Sequence, residues 1–414
     1  MQGFFSAEQF KTIRKPARGI FSCSSCGRYL LCNTPKFEVY GEGKKGIVNI
    51  LPYPTEMQDS KGDITFNKNV RHLDKIFAEQ GINLARDCTT LFAVACYSSK
   101  KVTPLPAHLE ACRSRLFTQL KKLSPKLIFL YGDIPCKSVI GARWHKDYGT
   151  LDKWCGWTIP DQELNAWVIP LATVDSRGIS EEYRTIWDMY WKQGFSKLYL
   201  PMTYVSPVYD LYTEEKDICK VLRRTANLLS RTGAQIAFDY ETTGLKPHKT
   251  DIHKIVCVSF SYRYEGEQKT FCIKLPKSAE GKNELRRILQ NPRIGKIAHN
   301  IRFEASWTKN ILGYDVTPWV WDSMLAAHIL DSRDKVSGLK FQTYVNFGVT
   351  GYDDEVQPYL KAIDPKDGNS LNRVLEYIKS ERNYLELMKY CALDSLYTLE
   401  LAERQQALIM GEVE

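Results

Sequence analysis

From about residue 20 to 200 the chain alternates short apolar runs, "GIVNILPY", "TTLFAVACY", "KLIFLYG" and "AWVIPLAT", with stretches of helical period such as "HLEACRSRLFTQLKKL". Apolar runs bounded by turn residues and separated by helices predict an α/β layer structure. A proline-scattered segment follows, "LPMTYVSPVYDLYTEEKD", and then the helical stretch "ICKVLRRTANLLSR". This change of pattern predicts a boundary, with a first domain over 1–200, a linker and helix over 201–232, and a second domain over 233–414. From Gly233 the pattern reads as strands "QIAFDYE", "KIVCVSFSY", "KTFCIKL" and the short "GKIAHN", and then as helices to the C-terminus. Three strands on short connections followed by helices predict a mixed sheet covered by helices, so both domains are of the α/β class.

The length of 414 residues suits two or three domains with cores of their own. With 43% hydrophobic and 25% charged residues, the composition is that of a soluble globular protein. No apolar run approaches the roughly 18–20 residues of a membrane span, and the first residues lack the apolar core of a secretory signal, so a cytoplasmic protein without a membrane partner is expected. The net charge of +9 favours a polyanionic partner, although solvated surface lysines account for it as well. Twelve cysteines without an export signal argue against a disulfide framework and make a metal or cluster site worth seeking. Most of them, including Cys257 and Cys272 within strand patterns, read as core thiols.

The chemistry concentrates in "IAFDYETTG", Ile236 to Gly244. Side chains alternate along a strand, so Asp239 and Glu241 project to one side with Tyr240 between them. Two like charges at the end of a buried strand repel and lose hydration, and a divalent metal relieves both costs. A pair of solvated carboxylates, or helix N-caps before the Thr-Thr-Gly turn, is the plain alternative. Further along, "AHNIRFEASW" puts Glu304 at the start of a helix, and "KYCALDSLYTL" puts Tyr390 and Asp394 on one helical face at i, i+4.

In combination and in this order, these residues resemble the DEDD-type 3′–5′ exonucleases, specifically the tyrosine-containing proofreading domain of family A (polymerase I-like) DNA polymerases. The resemblance covers about 233 to 410 and includes "WDSMLAAHILDS" and the following "GLK". It implies an RNase H-like mixed-sheet fold and two Mg²⁺ or Mn²⁺ ions about 4 Å apart, held by Asp239, Glu241, Glu304 and Asp394. Tyr390 would orient the attacking water, Asn300 and Thr242 would contact the terminal nucleotide, and Leu245 and Phe303 would pack against frayed bases. One position departs from the family: Glu304 stands where an Asp is usual, one methylene longer.

Near the N-terminus, "CSSC" supplies Cys23 and Cys26, and some seventy residues later "CYSSKKVTPLPAHLEAC" supplies Cys96 and Cys112. That spacing resembles the iron-sulfur family 4 uracil-DNA glycosylases over about 20 to 195. It implies a glycosylase-like α/β fold and a 4Fe-4S cluster on the four thiolates, with tetrahedral zinc as the alternative; Cys32 and Cys88 are nearby spares that spacing disfavours. The glycosylase chemistry is not carried over. "LPYPT", Leu51 to Thr55, replaces the segment that activates water, and "LATVDSR", Leu171 to Arg177, lacks the histidine of the second motif. An inactive module is expected, with Lys44, Lys45, Lys100 and Lys101 available to a DNA backbone.

Together these readings point to a metal-dependent 3′–5′ DNA exonuclease that proofreads during phage replication on single-stranded or frayed 3′ ends. It would be a subunit docking on a DNA polymerase in trans, or the front of a longer family A polymerase; the polar helix at the C-terminus favours the subunit. Two rivals stand beside it. One is a repair enzyme that excises uracil, with Glu56 or Asp59 activating water, and trims the end. The other is a non-enzymatic DNA-binding scaffold that tethers a polymerase.

Overall fold

The computed structural model describes residues 23–97, 103–202, 207–367 and 370–411. The chain divides into two compact units, Met1–Met202 and Thr203–Glu414. Among the described residues no helix is long and apolar enough to cross a membrane.

In the first unit, five strands form one sheet: β1 (Ile47–Leu51), β2 (Cys88–Phe92), β3 (Leu127–Tyr131), β4 (Ile159–Asp161) and β5 (Ala166–Leu171). Their order is β2-β1-β3-β5-β4. β2, β1, β3 and β5 run parallel, and β4 closes the edge antiparallel to β5. The parallel strands are buried almost throughout, which is why they read as unbroken apolar runs. Helix α1 (Pro106–Leu123) is the amphipathic stretch the sequence predicts, with Leu109, Leu116 and Leu120 turned inward. Helix α2 (Glu181–Ser196) lies on β5 at Gly194, whose absent side chain leaves room for Ile169. Trp191 on the same helix stacks on Phe129 at 5.5 Å and meets Phe77 edge-on at 5.1 Å.

The second unit begins earlier than the sequence pattern suggests. Within the expected linker, Asp210–Tyr212 forms β6 and pairs in parallel with β9 (Glu267–Lys274). The helix α3 (Glu215–Thr232) buries Ile218, Leu222, Ala226 and Leu229, a stripe at i, i+4, i+8 and i+11 that seals one face of the sheet. The segment therefore belongs to the body of the second unit and is no free connection.

The second sheet has the order β11-β10-β7-β8-β9-β6, with β7 (Gln235–Thr242), β8 (Ile255–Tyr264), β10 (Gly295–Ala298) and β11 (Trp319–Asp322). β7, β8 and β9 are antiparallel neighbours, whereas β7, β10 and β11 are parallel. This is the mixed sheet the strand spacing predicts. Phe238 and Tyr240 on β7 join Val258 and Phe260 in a core roofed by α3 and α4 (Ala279–Leu289). The opposite face carries Ala237, Asp239 and Glu241 and is covered by the 30-residue helix α8 (Glu381–Met410), about 45 Å long at helical rise. Three connecting helices precede it: α5 (Ile301–Trp307), α6 (Ser323–Leu330) and α7 (Leu339–Phe347). Polar pins fix α8 in register: Ser259 Oγ donates to the Cys391 carbonyl (2.7 Å) and Tyr384 OH to that of Val256 (2.9 Å). Arg263 reaches Glu400 and Glu403 from the sheet.

A Cβ added at Gly194 would lie 2.6 Å from Ile169 Cγ2. Gly194→Val is expected to destabilise the first unit by about 1–3 kcal/mol, the usual cost of overpacking, read as a lower denaturation midpoint.

Candidate active site

β7 and β10 are parallel, so their carboxyl ends meet at one edge of the second sheet, and the functional side chains gather there. Alternation along β7 sends Asp239 and Glu241 to the α8 face, while Tyr240 turns the other way and its hydroxyl meets Thr308 Oγ1 at 2.9 Å. The turn that follows is tightly tied. Asn372 Nδ2 donates to the Thr242 carbonyl (2.8 Å), and a side chain at Gly244 would collide with the His253 ring.

Glu304 arrives from β10 through Asn300, which takes a left-handed conformation (φ 78°) that asparagine tolerates better than most residues. Asp322, at the end of the adjacent β11, accepts the backbone N–H groups of Asn300 (3.1 Å) and Ile301 (3.0 Å) as well as those of Met324 and Leu325. One carboxylate therefore caps α5 and α6 together, and α5 carries Glu304 in its first turn. Glu304 is buried, and its Oε2 finds no hydrogen-bond partner among the described residues.

Tyr390 and Asp394 complete the group from α8. Asp394 Oδ1 accepts from Tyr352 OH (2.8 Å) and from Lys340 Nζ. The Lys340 ammonium also lies 4.2 Å from the Tyr390 ring centroid and 4.3 Å from that of Tyr352.

Electrostatics tie the carboxylates to one another. Burial pushes the Asp239 carboxyl well above its ordinary range, and Asp394, Glu241 and Glu304 push it further, against an opposing pull from Lys340. Glu241 is raised by burial and by Asp394. Glu304 is raised by burial and then by Asp322, Glu241 and Asp394. Despite its extra methylene, Glu304 thus stays electrostatically coupled to Glu241 and Asp394, while Asp239 and Glu241 are the carboxylates that close, with Cys391, to within 4.8 Å. Such a cluster, made of hard oxygen donors and holding one unpartnered carboxylate oxygen, fits divalent cations such as Mg²⁺ or Mn²⁺.

Beside this group is a cleft of about 480 Å³ lined by Leu245, Lys246, His248, Asn300, Arg302 and Phe303, among others. Three of the four residues expected to touch a nucleotide therefore share one wall, and Leu245 stands 70% exposed over it. The fourth, Thr242, is buried, and its hydroxyl donates to the Gly244 carbonyl (2.8 Å), so it shapes the turn. Sequence reasoning assigned no part to Asp322, Lys340 or Tyr352. For Asp322 the signal was present, an Asp-Ser pair directly before an apolar helix; Lys340 and Tyr352 come near Asp394 only through the tertiary fold.

In the first unit, the helical turn Cys23–Cys26 packs on α1, which carries Cys112, and Cys96 follows β2. The Lys36 backbone N–H donates to Cys96 Sγ (3.2 Å). Burial pushes the Cys112 thiol up to about 11, with Cys26, Cys96 and Cys23 adding to it. The four predicted ligands thus share one neighbourhood. Cys32 joins them beside Cys96, whereas Cys88 lies in β2 next to Asn49. "LPYPT" and "LATVDSR" follow β1 and β5 at the carboxyl end of the sheet, where Pro52 and Thr173 close around Gly132. The Asp59 carboxylate is occupied by the backbone N–H groups of Asn33 (2.9 Å) and Thr34 (2.8 Å). Lys100 and Lys101 lie outside the described residues.

Residues 209–408 match the family model of the 3′-5′ exonucleases. Among solved structures, the chain is similar to Escherichia coli RNase D (18% identity, TM-score 0.33), over 49% of this chain and 45% of that one. It is also similar to the catalytic core of RRP6 from Trypanosoma brucei (16%, TM-score 0.35), over 50% of each chain. A third similarity is to Brucella melitensis NrnC bound to pGG (20%, TM-score 0.31), over 50% of this chain and 84% of that one. The matched region thus spans about half the length of the RNase D and RRP6 chains. No curated protein matches. Residues 209–408 carry a 3′-5′ exonuclease domain, and the domain is a nuclease.

The raised carboxyl groups give a signed expectation. The folded-state carboxyls of Asp239, Glu241 and Glu304 bind protons more tightly than those of the unfolded chain, which titrate near pH 4, so raising the pH above that value lowers stability. The melting temperature of the metal-free protein should therefore contain a component that falls from pH 5 to pH 8. Asp239→Asn should shrink it, and Mg²⁺ should reverse it. An equal slope in wild type and variant, unaffected by Mg²⁺, would contradict this electrostatic picture.

Proposed function

We propose that this protein removes nucleotides one at a time from DNA 3′ ends as a proofreading exonuclease, working with a family A DNA polymerase either in trans or in one longer chain. The observation that carries this reading is the convergence of Asp239, Glu241, Glu304 and Asp394 with Tyr390, beside a cleft lined by Leu245, Asn300 and Phe303. The choice of DNA rests on the sequence resemblance of the carboxylate motifs to polymerase proofreading domains.

Asp239, Glu241, Glu304 and Asp394 would hold two divalent cations. When bound, such ions supply a nucleophilic hydroxide at neutral pH and neutralise charge on the attacking and leaving oxygens of a phosphodiester. The chain's own groups do the rest. Burial and the neighbouring carboxylates keep the Tyr390 phenol protonated, so it can orient a water by hydrogen bonding. Asn300 lines the cleft, where its amide can hydrogen-bond a nucleotide, and the exposed Leu245 and the Phe303 ring offer apolar faces to an unpaired base. Lys246 and Arg302 bring positive charge to the strand's phosphates.

For the first unit, the reading is a glycosylase-like module without uracil excision that holds a 4Fe-4S cluster on Cys23, Cys26, Cys96 and Cys112. A tetrahedral zinc site needs sulfurs about 3.8 Å apart. Four thiols in one neighbourhood suit that ion as well, and zinc stays the alternative to the cluster. The backbone hydrogen bonds already made by Asp59 leave it poorly placed to activate water, which supports the absence of excision.

A 5′-labelled DNA oligonucleotide with Mg²⁺ should shorten stepwise from its 3′ end. Asp239→Ala should slow this on the order of 10³-fold, since metal binding contributes several kcal/mol to the barrier. Undiminished degradation by the variant would overturn the assignment, and faster cleavage of the matching RNA would overturn the DNA specificity. Anaerobically purified protein should contain iron that Cys96→Ser removes, while stoichiometric zinc in its place would overturn the cluster. Uracil-containing DNA should keep its uracil.

A further inference from the structure

Behind the carboxylate group lies a second set of ligand atoms that the nuclease reading does not use. Cys257 on β8, Cys272 on β9 and Cys391 on α8 are fully buried, and their sulfurs lie within 4.8 Å of one another. The register explains the convergence: Glu241 faces Cys257 across one strand pair, and Asp239 faces Ser259, which in turn faces Cys272. All of these point to the α8 side of the sheet, where Cys391 sits directly above them, held by the Ser259 hydrogen bond to its carbonyl. Cys391 Sγ is 3.7 Å from Asp239 Oδ2 and also groups with Asp239 and Glu241 within 4.8 Å. The thiol trio and the carboxylate pair thus meet at Cys391.

Scattered thiols are ordinary core residues. Three sulfurs brought together from three elements, with a carboxylate oxygen at their edge, constitute a ligand set. Tetrahedral coordination at Zn–S of about 2.3 Å needs sulfurs about 3.8 Å apart, which lies inside the observed bound. Soft thiolates select thiophilic ions over Mg²⁺.

We propose that Cys257, Cys272 and Cys391 form a site for a thiophilic divalent cation, Zn²⁺ or Cd²⁺, whose occupation perturbs the nuclease centre through Cys391, the thiol that touches Asp239. Binding replaces three of the ion's bound waters by three metal–sulfur bonds and releases three thiol protons to solvent, with no change of oxidation state. Uptake waits on local opening, since the sulfurs have no exposed surface. The inhibitory consequence rests on the proposed nuclease function; the binding itself does not.

The test titrates Cd²⁺ into the full-length wild type, Cys272→Ser and Cys257→Ser. It follows the thiolate-to-cadmium charge-transfer absorbance and the metal retained per chain, with circular dichroism to establish folding. The N-terminal cysteines contribute equally to all three proteins. Each folded serine variant should retain one Cd²⁺ fewer than wild type and lose the matching absorbance. Equal retention and absorbance in wild type and a folded variant would overturn the site. In the nuclease assay, one further equivalent of Cd²⁺ should slow wild type and spare Cys272→Ser. Equal slowing of both would overturn the coupling to the nuclease centre, and an absence of nuclease activity in either would overturn the proposed function while leaving the binding result intact.

Discussion

Carboxylates in low dielectric repel one another, and the second unit is arranged around holding several of them at one edge of a sheet. Burial raises Asp239, Glu241 and Glu304, Asp394 adds to all three, and Glu241 adds to Asp239 and Glu304. Such a grouping costs stability unless positive charge enters it. The scaffold that enforces it is correspondingly rigid. β7 lies inside the sheet with β10 parallel on one side and β8 antiparallel on the other, and α8 is pinned across them by hydrogen bonds to the strands. The parallel pairing is the decisive feature, because it brings the carboxyl end of β10, and hence Glu304, to the end of β7 that carries Asp239 and Glu241.

Lys340 and Tyr352 show how the protein treats that charge from within. Both donate to Asp394, and the ammonium rests against the rings of Tyr352 and Tyr390. They anchor the α8 side of the cluster, whereas one oxygen of Glu304 has no hydrogen-bond partner among the described residues. Asp322 sets the position of Glu304 through backbone N–H groups alone. The two flanks of the site are thus held by different physics: a cation and a phenol on one, helix capping on the other.

What was legible in the sequence follows from local period. Alternation along a strand placed Asp239 and Glu241 together, and one helical turn placed Tyr390 beside Asp394. The strand-to-helix step at Asn300 placed Glu304, although only the fold shows that it is buried and electrostatically coupled to Glu241 and Asp394. Features that depend on pairing distant segments were not legible. Three residues, Asp210–Tyr212, are too short a run to announce a strand, and they become one only by lying along β9. The helix after them was visible, but the core it covers was not, so the segment read as a linker. The family resemblance implied a nucleotide contact for Thr242; in the structure it is buried and its hydroxyl donates to the Gly244 carbonyl two residues on. Cys257 and Cys272 looked like separate core thiols, and their meeting with Cys391 required the β8–β9 register and α8 together.

The central claim is that cations neutralise the convergent carboxylates, and direct counting of bound Mn²⁺ tests it without reference to any substrate. Electron paramagnetic resonance of free Mn²⁺ during titration should give two ions bound per wild-type chain in the carboxylate site, with loss of at least one in Glu304→Gln. Binding of no Mn²⁺ by wild type, or an unchanged count in the variant, would contradict the account.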